Sequence, residues 1–229
     1  MTPEILAGLV AAREAGRAVV LATRLPDGAQ HLLPDESAAP GLLAAGANAL
    51  AEDQSRMVEI AGETWFLHVH APPPRLLIVG AVHIAQSLAP MATAAGFAVT
   101  ILDPRTGFAT EARFPGTALN HAWPDEAVAA LAPDARTAIV TLSHDPKLDD
   151  PALDRGLRTE AFFVGALGSR KTHAARLQRL ASLGHGAASL ARVRGPVGLA
   201  IGAVTAPEIA VSILAELIAA RRKAPMDAA

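Results

Sequence analysis

The stretch from Arg75 to Arg105, "RLLIVGAVHIAQSLAPMATAAGFAVTILDPR", contains an apolar run, a glycine, a helical stretch and a second apolar run that ends in an acid. This order predicts a strand, a tight turn, a helix and a second strand parallel to the first. Such a βαβ unit is the building block of parallel sheets covered by helices. The chain is therefore expected to contain an α/β domain built around this stretch.

The turn of this unit matches only part of the dinucleotide-binding fingerprint Gly-x-Gly-x-x-Gly/Ala. Gly80 and Ala85 stand at the first and third small positions, but Val82 occupies the second, where glycine lets the backbone approach a pyrophosphate. Asp103 follows about 20 residues further on, where an acid can accept hydrogen bonds from ribose hydroxyls. An acid before a proline is equally typical of a plain turn. The half-match predicts the fold, and Val82 disfavours NAD(P) as a ligand.

Further along the chain, β-rich apolar runs alternate with helical stretches. The other strands are expected at 98–103, 137–143 and 161–167, and the helices at 84–95, 124–131, 148–156, 169–183 and 206–222. Alternation of this kind predicts an α/β fold with a mostly parallel sheet that has helices on both faces.

The first 71 residues have a different pattern. Short β runs surround Asp27-Gly28 and Gly62, and helical stretches precede each pair of runs, which predicts a small α/β module. Pro72-Pro73-Pro74 cannot continue a helix or donate to a sheet. We therefore expect a module over 1–71, a proline linker over 72–74 and the larger α/β domain over 75–229.

Composition narrows the function. The chain has 229 residues, a net charge of −2 and no cysteine, so neither nucleic acid nor an anionic membrane is an expected partner, and a thiolate nucleophile or a persulfide carrier is excluded. No apolar run reaches the length of a membrane span and the first 20 residues carry several charges, so a cytoplasmic protein is expected. His68 and His70 share a strand face without a third ligand, so no metal site is predicted.

The candidate binding residues follow the apolar runs, because ligands of open parallel sheets bind beyond the carboxyl ends of the strands. The candidates are Gly80, Val82, His83, Asp103, His144, Asp145, Gly165, Gly168, Ser169, Arg170, Lys171 and Glu208.

Two of these strand ends leave alternatives open. The Gly165–Lys171 segment offers a helix start, a hydroxyl and two cations that can hold a phosphate, or equally an N-cap serine followed by solvated charges. His144 can transfer a proton or bind a heterocycle, or can simply lie in a turn that Asp145 caps. Glu208 lies in the capping-box pattern Thr205-Ala-Pro-Glu, for which a capping role is the simpler reading.

Four segments together resemble one known family: 75–105, "TLSHD" at 141–145, "FFVGALGSRKTHAARLQRLASLG" at 162–184, and 193–222. They are similar to the C-terminal, Rossmann-like domain of the xanthine dehydrogenase accessory protein family. The resemblance implies a non-catalytic protein that binds molybdopterin cofactor while a cysteine desulfurase supplies its sulfido ligand, and that delivers it to a molybdenum hydroxylase apoenzyme. It also implies a homodimer.

The resemblance is incomplete in two places. The family commonly has Gly-x-Gly where this chain has Val82, and its N-terminal block is only faintly matched by residues 21–37. Two rival functions therefore stay open: an NAD(P)-dependent oxidoreductase that uses the first βαβ unit and Asp103, and a docking protein without a ligand.

Overall fold

The computed structural model describes residues 1–224, which form two compact units that meet in sequence between Pro72 and Pro73. The N-terminal unit is a four-stranded antiparallel sheet of order β2-β1-β4-β3 with two helices. Its elements are α1 (Pro3–Glu14), β1 (Val19–Arg24), β2 (Gln30–Leu33), α2 (Pro40–Glu52), β3 (Arg56–Ile60) and β4 (Glu63–His70).

The second unit is the α/β domain that the alternating pattern predicts. Its strands are β5 (Arg75–Val79), β6 (Ala98–Leu102), β7 (Ala118–Asn120), β8 (Thr137–Thr141), β9 (Phe163–Ala166) and β10 (Val193–Arg194). Its helices are α3 (His83–Ala94), α4 (Pro124–Leu131), α5 (Pro146–Leu157), α6 (Arg170–Ser182), α7 (Ala187–Leu190) and α8 (Ala206–Arg221). The predicted helices agree with these to within two residues, whereas the pattern does not reveal β7, β10 and α7.

All six strands of the second sheet run parallel, in the order β10-β9-β8-β5-β6-β7. Counted from β5 as the first strand, this is the doubly wound order 3-2-1-4-5-6. The chain direction across the sheet therefore reverses between β5 and β8, which are neighbours. In a sheet of this order the crevice between these two strands is where ligands bind.

Helices cover both faces of this sheet, because alternate residues of each strand project to opposite sides. Along β5, Leu76 and Ile78 face one core, which α3 and α8 complete. Leu77 and Val79 face a second core, which α4, α5 and α6 complete. Burial on both faces explains why the strands read as continuous apolar runs. The predicted fold class, a Rossmann-like parallel sheet preceded by a small α/β module, is confirmed.

None of the helices in residues 1–224 combines the length and the apolar character that crossing a membrane requires.

Candidate functional site at the carboxyl ends of the strands

The ends of β5 and β8 touch at the point where the strand order reverses. Gly80 has a φ of +106°, and a Cβ at this position would lie 2.8 Å from the backbone nitrogen of Ser143. Only glycine combines this conformation with this approach. Gly80 thus holds together the two turns that border the crevice.

The first turn offers little to a dinucleotide. Val82 is the N-cap of α3 with no side-chain hydrogen bond to the helix start, and its side chain packs against the core. His83 follows as an exposed first residue of the helix. Because Val82 has a φ of −98°, the branched residue fits the turn without strain. The turn is therefore built around a side chain at the position where the fingerprint has glycine.

Asp103 lies at the end of β6 and is fully buried. Its Oδ2 accepts from the backbone N–H of Ala81 (2.8 Å) and from Arg105 Nη2 (2.7 Å), and its Oδ1 accepts from the Arg105 backbone N–H and Nε at 3.0 and 2.9 Å. Burial raises the pKa of Asp103, but the hydrogen bonds from Arg105 and Ala81 outweigh it and the net pKa is lowered. Both oxygens are thus engaged in tying β6 to the first turn.

The turn after β8 is organised by Asp149 on α5. Ser143 Oγ donates to Asp149 Oδ1 at 2.7 Å and accepts from the backbone N–H of Asp145 at 3.1 Å. Asp145 is the N-cap of α5 and accepts from the Lys147 N–H. His144 lies between them, exposed and in the left-handed region with a φ of +62°. The structure thus places the imidazole in solvent at the crevice edge and gives Asp145 a capping role.

The turn after β9 combines a helix start with two cations. Ser169 is the N-cap of α6, and its Oγ accepts from the Thr172 N–H at 3.1 Å. Arg170 and Lys171 are exposed, and the first turn of α6 contains no acid. Cations at a helix N-terminus oppose the helix dipole. An anion bound at this turn would relieve that unfavourable charge arrangement.

The two glycines of this segment have different structural roles. A Cβ at Gly165 would lie within 2.7 Å of Phe163 and Val197 side-chain atoms, so Gly165 is required for packing within the sheet. Gly168 has a φ of +146°, and its Cα faces Thr172 and Arg176 of α6. Gly168 therefore allows the chain to turn over the first part of α6.

A third cation, which the sequence did not single out, lies beneath this turn. Arg176 is only 2% exposed, and its Nη2 donates to the carbonyl oxygen of Leu167 at 2.9 Å. Its Nε and Nη1 have no hydrogen-bond partner within residues 1–224, and Nη1 lies 3.8 Å from where a Gly168 Cβ would be. Its position four residues before the buried Leu180, on the core-facing side of α6, was the available sequence signal.

Arg176 and Asp149 link the turns after β8 and β9. Asp149 Oδ2 lies 3.8 Å from Arg176 Nη2 and has no hydrogen-bond partner in the described part of the chain. Burial raises the pKa of Asp149 and lowers that of Arg176, in each case against the attraction of the other group. Contacts thus run from Gly80 through Ser143, Asp149 and Arg176 to the start of α6.

Glu208 makes its hydrogen bonds at the start of α8. Its Oε2 accepts from the N–H groups of Val204 and Thr205 at 2.8 and 2.9 Å, and Thr205 Oγ1 accepts from the Glu208 N–H. This is the capping box that the sequence pattern predicts. Backbone hydrogen bonds from Thr205 and Val204 lower the pKa of Glu208. Among the described residues, groups of three or more side chains suited to a metal are absent.

The fold and this site define a doubly wound α/β domain whose crevice has its positive charge at the β9–α6 turn rather than at the first turn. The sequence profile of the XdhC Rossmann domain matches residues 76–217. The chain therefore belongs to the XdhC family, as the resemblance of its motifs implied.

Curated relatives are consistent with this assignment. The chain is 34% identical over 184 residues to the uncharacterized protein YqeB of Escherichia coli, covering 79% of this chain and 32% of YqeB. It is 34% identical over 150 residues to the molybdenum cofactor insertion chaperone PaoD of Escherichia coli, covering 66% and 41%. It is 32% identical over 159 residues to a probable xanthine dehydrogenase subunit of Bacillus subtilis, covering 69% and 46%. The chain thus spans less than half the length of each of these relatives.

A solved structure supports the fold. A Bacillus halodurans protein described as a xanthine dehydrogenase aligns with a TM-score of 0.71 at 23% identity, over 99% of this chain and 66% of the other.

Proposed function

We propose that this chain is an accessory protein in the maturation of molybdenum hydroxylases of the xanthine dehydrogenase type, which binds molybdopterin cofactor as its cargo and delivers it to the apoenzyme. The observation that carries the proposal is the charge at the start of α6: Arg170 and Lys171 are exposed in its first turn, and Arg176 is buried beneath them. The name of PaoD, a molybdenum cofactor insertion chaperone, supports the same role.

The phosphate of molybdopterin fits this turn. A helix N-terminus presents backbone N–H groups and a positive dipole end to an anion, and the two exposed cations add charge-assisted hydrogen bonds. Arg176 adds positive potential from below, with donors that Asp149 and Leu167 do not use. Because the surroundings of Arg176 are dry, its charge is screened less than a surface charge would be.

A nicotinamide dinucleotide fits the crevice less well. The carboxylate of Asp103, which would bind the ribose, is already occupied by Arg105 and Ala81. Val82 occupies the position where the pyrophosphate would approach the backbone. These contacts favour cofactor delivery over the oxidoreductase alternative. A cysteine desulfurase as the sulfur donor and a homodimeric state belong to the proposal as expected partners.

Calorimetric titration of the purified chain with molybdopterin tests the proposal. Arg170→Ala is expected to weaken binding by about 1.5–3 kcal/mol, the range for a hydrogen bond to a charged group. Arg155→Ala is the matched control, because Arg155 is exposed near the C-terminal end of α5, the end away from the crevice. Equal affinity of the wild type and a folded Arg170→Ala variant would contradict a phosphate site at α6. Absence of any molybdopterin binding would leave the docking protein as the better function.

A second measurement tests the delivery step. The chain purified from a host that makes the cofactor should carry pterin and molybdenum, and adding it to a molybdenum hydroxylase apoenzyme should restore activity. Arg170→Ala should lower both the amount of bound cofactor and the rate of activation.

A further inference from the structure

The N-terminal unit contains a cavity of about 250 Å³ that belongs to this unit alone. Its walls include Leu42 of α2, Ile60 of β3 and Trp65 of β4, together with the polar side chains of Arg24, His31 and Glu63. In the register of the sheet, Arg24 is opposite Trp65 and Ile60 is opposite Glu63, so these side chains share one face. This is also the face on which Leu42 packs.

Salt bridges compensate the one permanent cation of the cavity. Arg24 Nε and Nη2 donate to the two oxygens of Asp27 at 3.0 and 2.7 Å, and Nη1 donates to Glu63 Oε1 at 2.7 Å. His31 Nδ1 lies 2.8 Å from Asp35 Oδ2, and hydrogen bonds from His31 and Ser37 lower the pKa of Asp35 to about 2. Three carboxylates therefore surround one guanidinium and one imidazole. This balance repels phosphate and favours a neutral or cationic ligand that donates hydrogen bonds.

The apolar wall indicates the shape of that ligand. Trp65 is 6% exposed, with the Arg24 guanidinium 5.6 Å from its ring centre and the His31 ring 5.9 Å away. Leu42 and Ile60 also line the cavity. An aromatic ring, two aliphatic side chains and a carboxylate in one small cavity suit a flat heterocycle with polar groups on one edge.

Glu63 determines which edge is recognised. A carboxylate has roughly four acceptor positions, and only Oε1 is used by Arg24. Its two oxygens match two neighbouring N–H donors, the same pairing that guanidinium groups make with carboxylates. A ring N–H beside an exocyclic amino group presents these two donors. Guanine and pterins share this aminopyrimidinone edge.

We propose that the cavity of the N-terminal unit binds a planar aminopyrimidinone heterocycle, of the kind found in guanine and pterins, with its amino edge on Glu63 and its ring against Trp65, Leu42 and Ile60. This site is separate from the phosphate site proposed at α6 and does not depend on it. The ligand class is thereby assigned to the segment in which the chain diverges from its family.

Fluorescence titration of the full chain in a Trp123→Phe background tests this, because Trp65 is then the sole tryptophan. Pterin and guanosine are the probes for the two sources of this edge. Lumazine is the matched control ligand, because it has a carbonyl where pterin has the amino group. We expect saturable quenching by pterin or guanosine at micromolar to low millimolar concentration. Lumazine should bind at least tenfold more weakly, the loss expected for a hydrogen bond to a charged group.

Variants distinguish this cavity from other binding sites. Glu63→Gln should weaken pterin or guanosine binding at least tenfold and remove the discrimination against lumazine. Glu59→Gln, on the neighbouring strand and exposed, should change neither. Arg170→Ala should also change neither, which separates this proposal from the function proposed for α6. The proposal is overturned if neither probe quenches Trp65 by about 5 mM, a concentration near the weak limit of specific binding, if lumazine binds as well as pterin, or if a folded Glu63→Gln variant binds as the wild type does.

Discussion

The Oδ2 atom of Asp149 and the Nη2 atom of Arg176 lie 3.8 Å apart, with each side chain 2% exposed. This distance allows strong attraction in a dry environment but is too long for a direct hydrogen bond. The pair connects the turn after β8 with the turn after β9. It therefore couples the two sides of the candidate site electrostatically.

Removing the guanidinium should expose the energetic importance of this pair. Arg176→Met is expected to lower the free energy of unfolding by about 3–5 kcal/mol, because it leaves the buried Asp149 without its counter-charge. The double variant with Asp149→Asn should lose about 1–3 kcal/mol less than the sum of the single variants. Urea denaturation of the four proteins gives this coupling energy. Strictly additive losses would show that the two groups do not interact.

The Asp103 carboxylate should make stability depend on acid pH. Its pKa is lowered in the fold, so its contribution is present above the ordinary carboxyl pKa of about 3.9 and is lost as the pH falls through the folded value. Asp103→Asn is expected to cost about 2 kcal/mol at pH 7, and the difference from the wild type should shrink below pH 4. Urea midpoints at pH 7, 5 and 3 measure it, with the exposed Glu160→Gln as control. A difference that persists unchanged at pH 3 would mean that the charge of Asp103 is not responsible.

The contact between the β5 and β8 turns predicts that Gly80 cannot be replaced by alanine. Gly80→Ala adds a Cβ only 2.8 Å from the Ser143 nitrogen at a φ of +106°, so roughly 2 kcal/mol or more of stability should be lost. Gly107→Ala is the matched control, because its Cβ would meet nothing within 4 Å and its φ is not positive. Thermal unfolding compares the two. A Gly80→Ala variant as stable as Gly107→Ala would show that the turn can relax.

The occupied first turn predicts weak NAD binding. The wild-type chain should bind NAD and NADP with millimolar affinity or not at all, and Val82→Gly should improve NAD binding only slightly, because Asp103 stays engaged with Arg105. The substitution should leave molybdopterin binding unchanged and cost about 1 kcal/mol of stability through backbone entropy. Isothermal titration of both proteins with the three ligands checks these expectations. Micromolar NAD binding by the wild type would restore the oxidoreductase hypothesis.

Glu208 separates a capping role from a functional one. Glu208→Gln keeps an oxygen that can accept from the Val204 and Thr205 N–H groups, so thermal stability and apoenzyme activation should both stay close to the wild type. Glu208→Ala should lose stability because the capping box is broken. A Gln variant that folds normally but fails to activate the apoenzyme would place this carboxylate in the functional site.

Residue patterns predict the elements whose periodicity is strong. Four β-rich apolar runs and five helices can be located because burial on both sheet faces produces continuous apolar strands, and because amphipathic helices alternate with them. The strands β7 and β10 escape this reasoning, since three and two residues are too few to show a period.

The candidate site could be predicted only in part. Turn residues such as Ser169 and Asp145 follow directly from their positions after strands. Arg176 and Asp149 lie inside helices on buried faces, and their proximity depends on how α5 and α6 pack on the sheet. No local pattern contains that information.

The two short outer strands of the large sheet have a consequence for assembly. β7 and β10 lie at its two edges and offer few unpaired backbone groups, which limits the growth of the sheet into a neighbouring molecule and so protects against aggregation. If two copies of the chain associate, a continuous sheet running through both is therefore disfavoured at either edge. Helix surfaces or the smaller unit would have to provide the contact, and such a contact leaves the strand ends open to a passing cofactor.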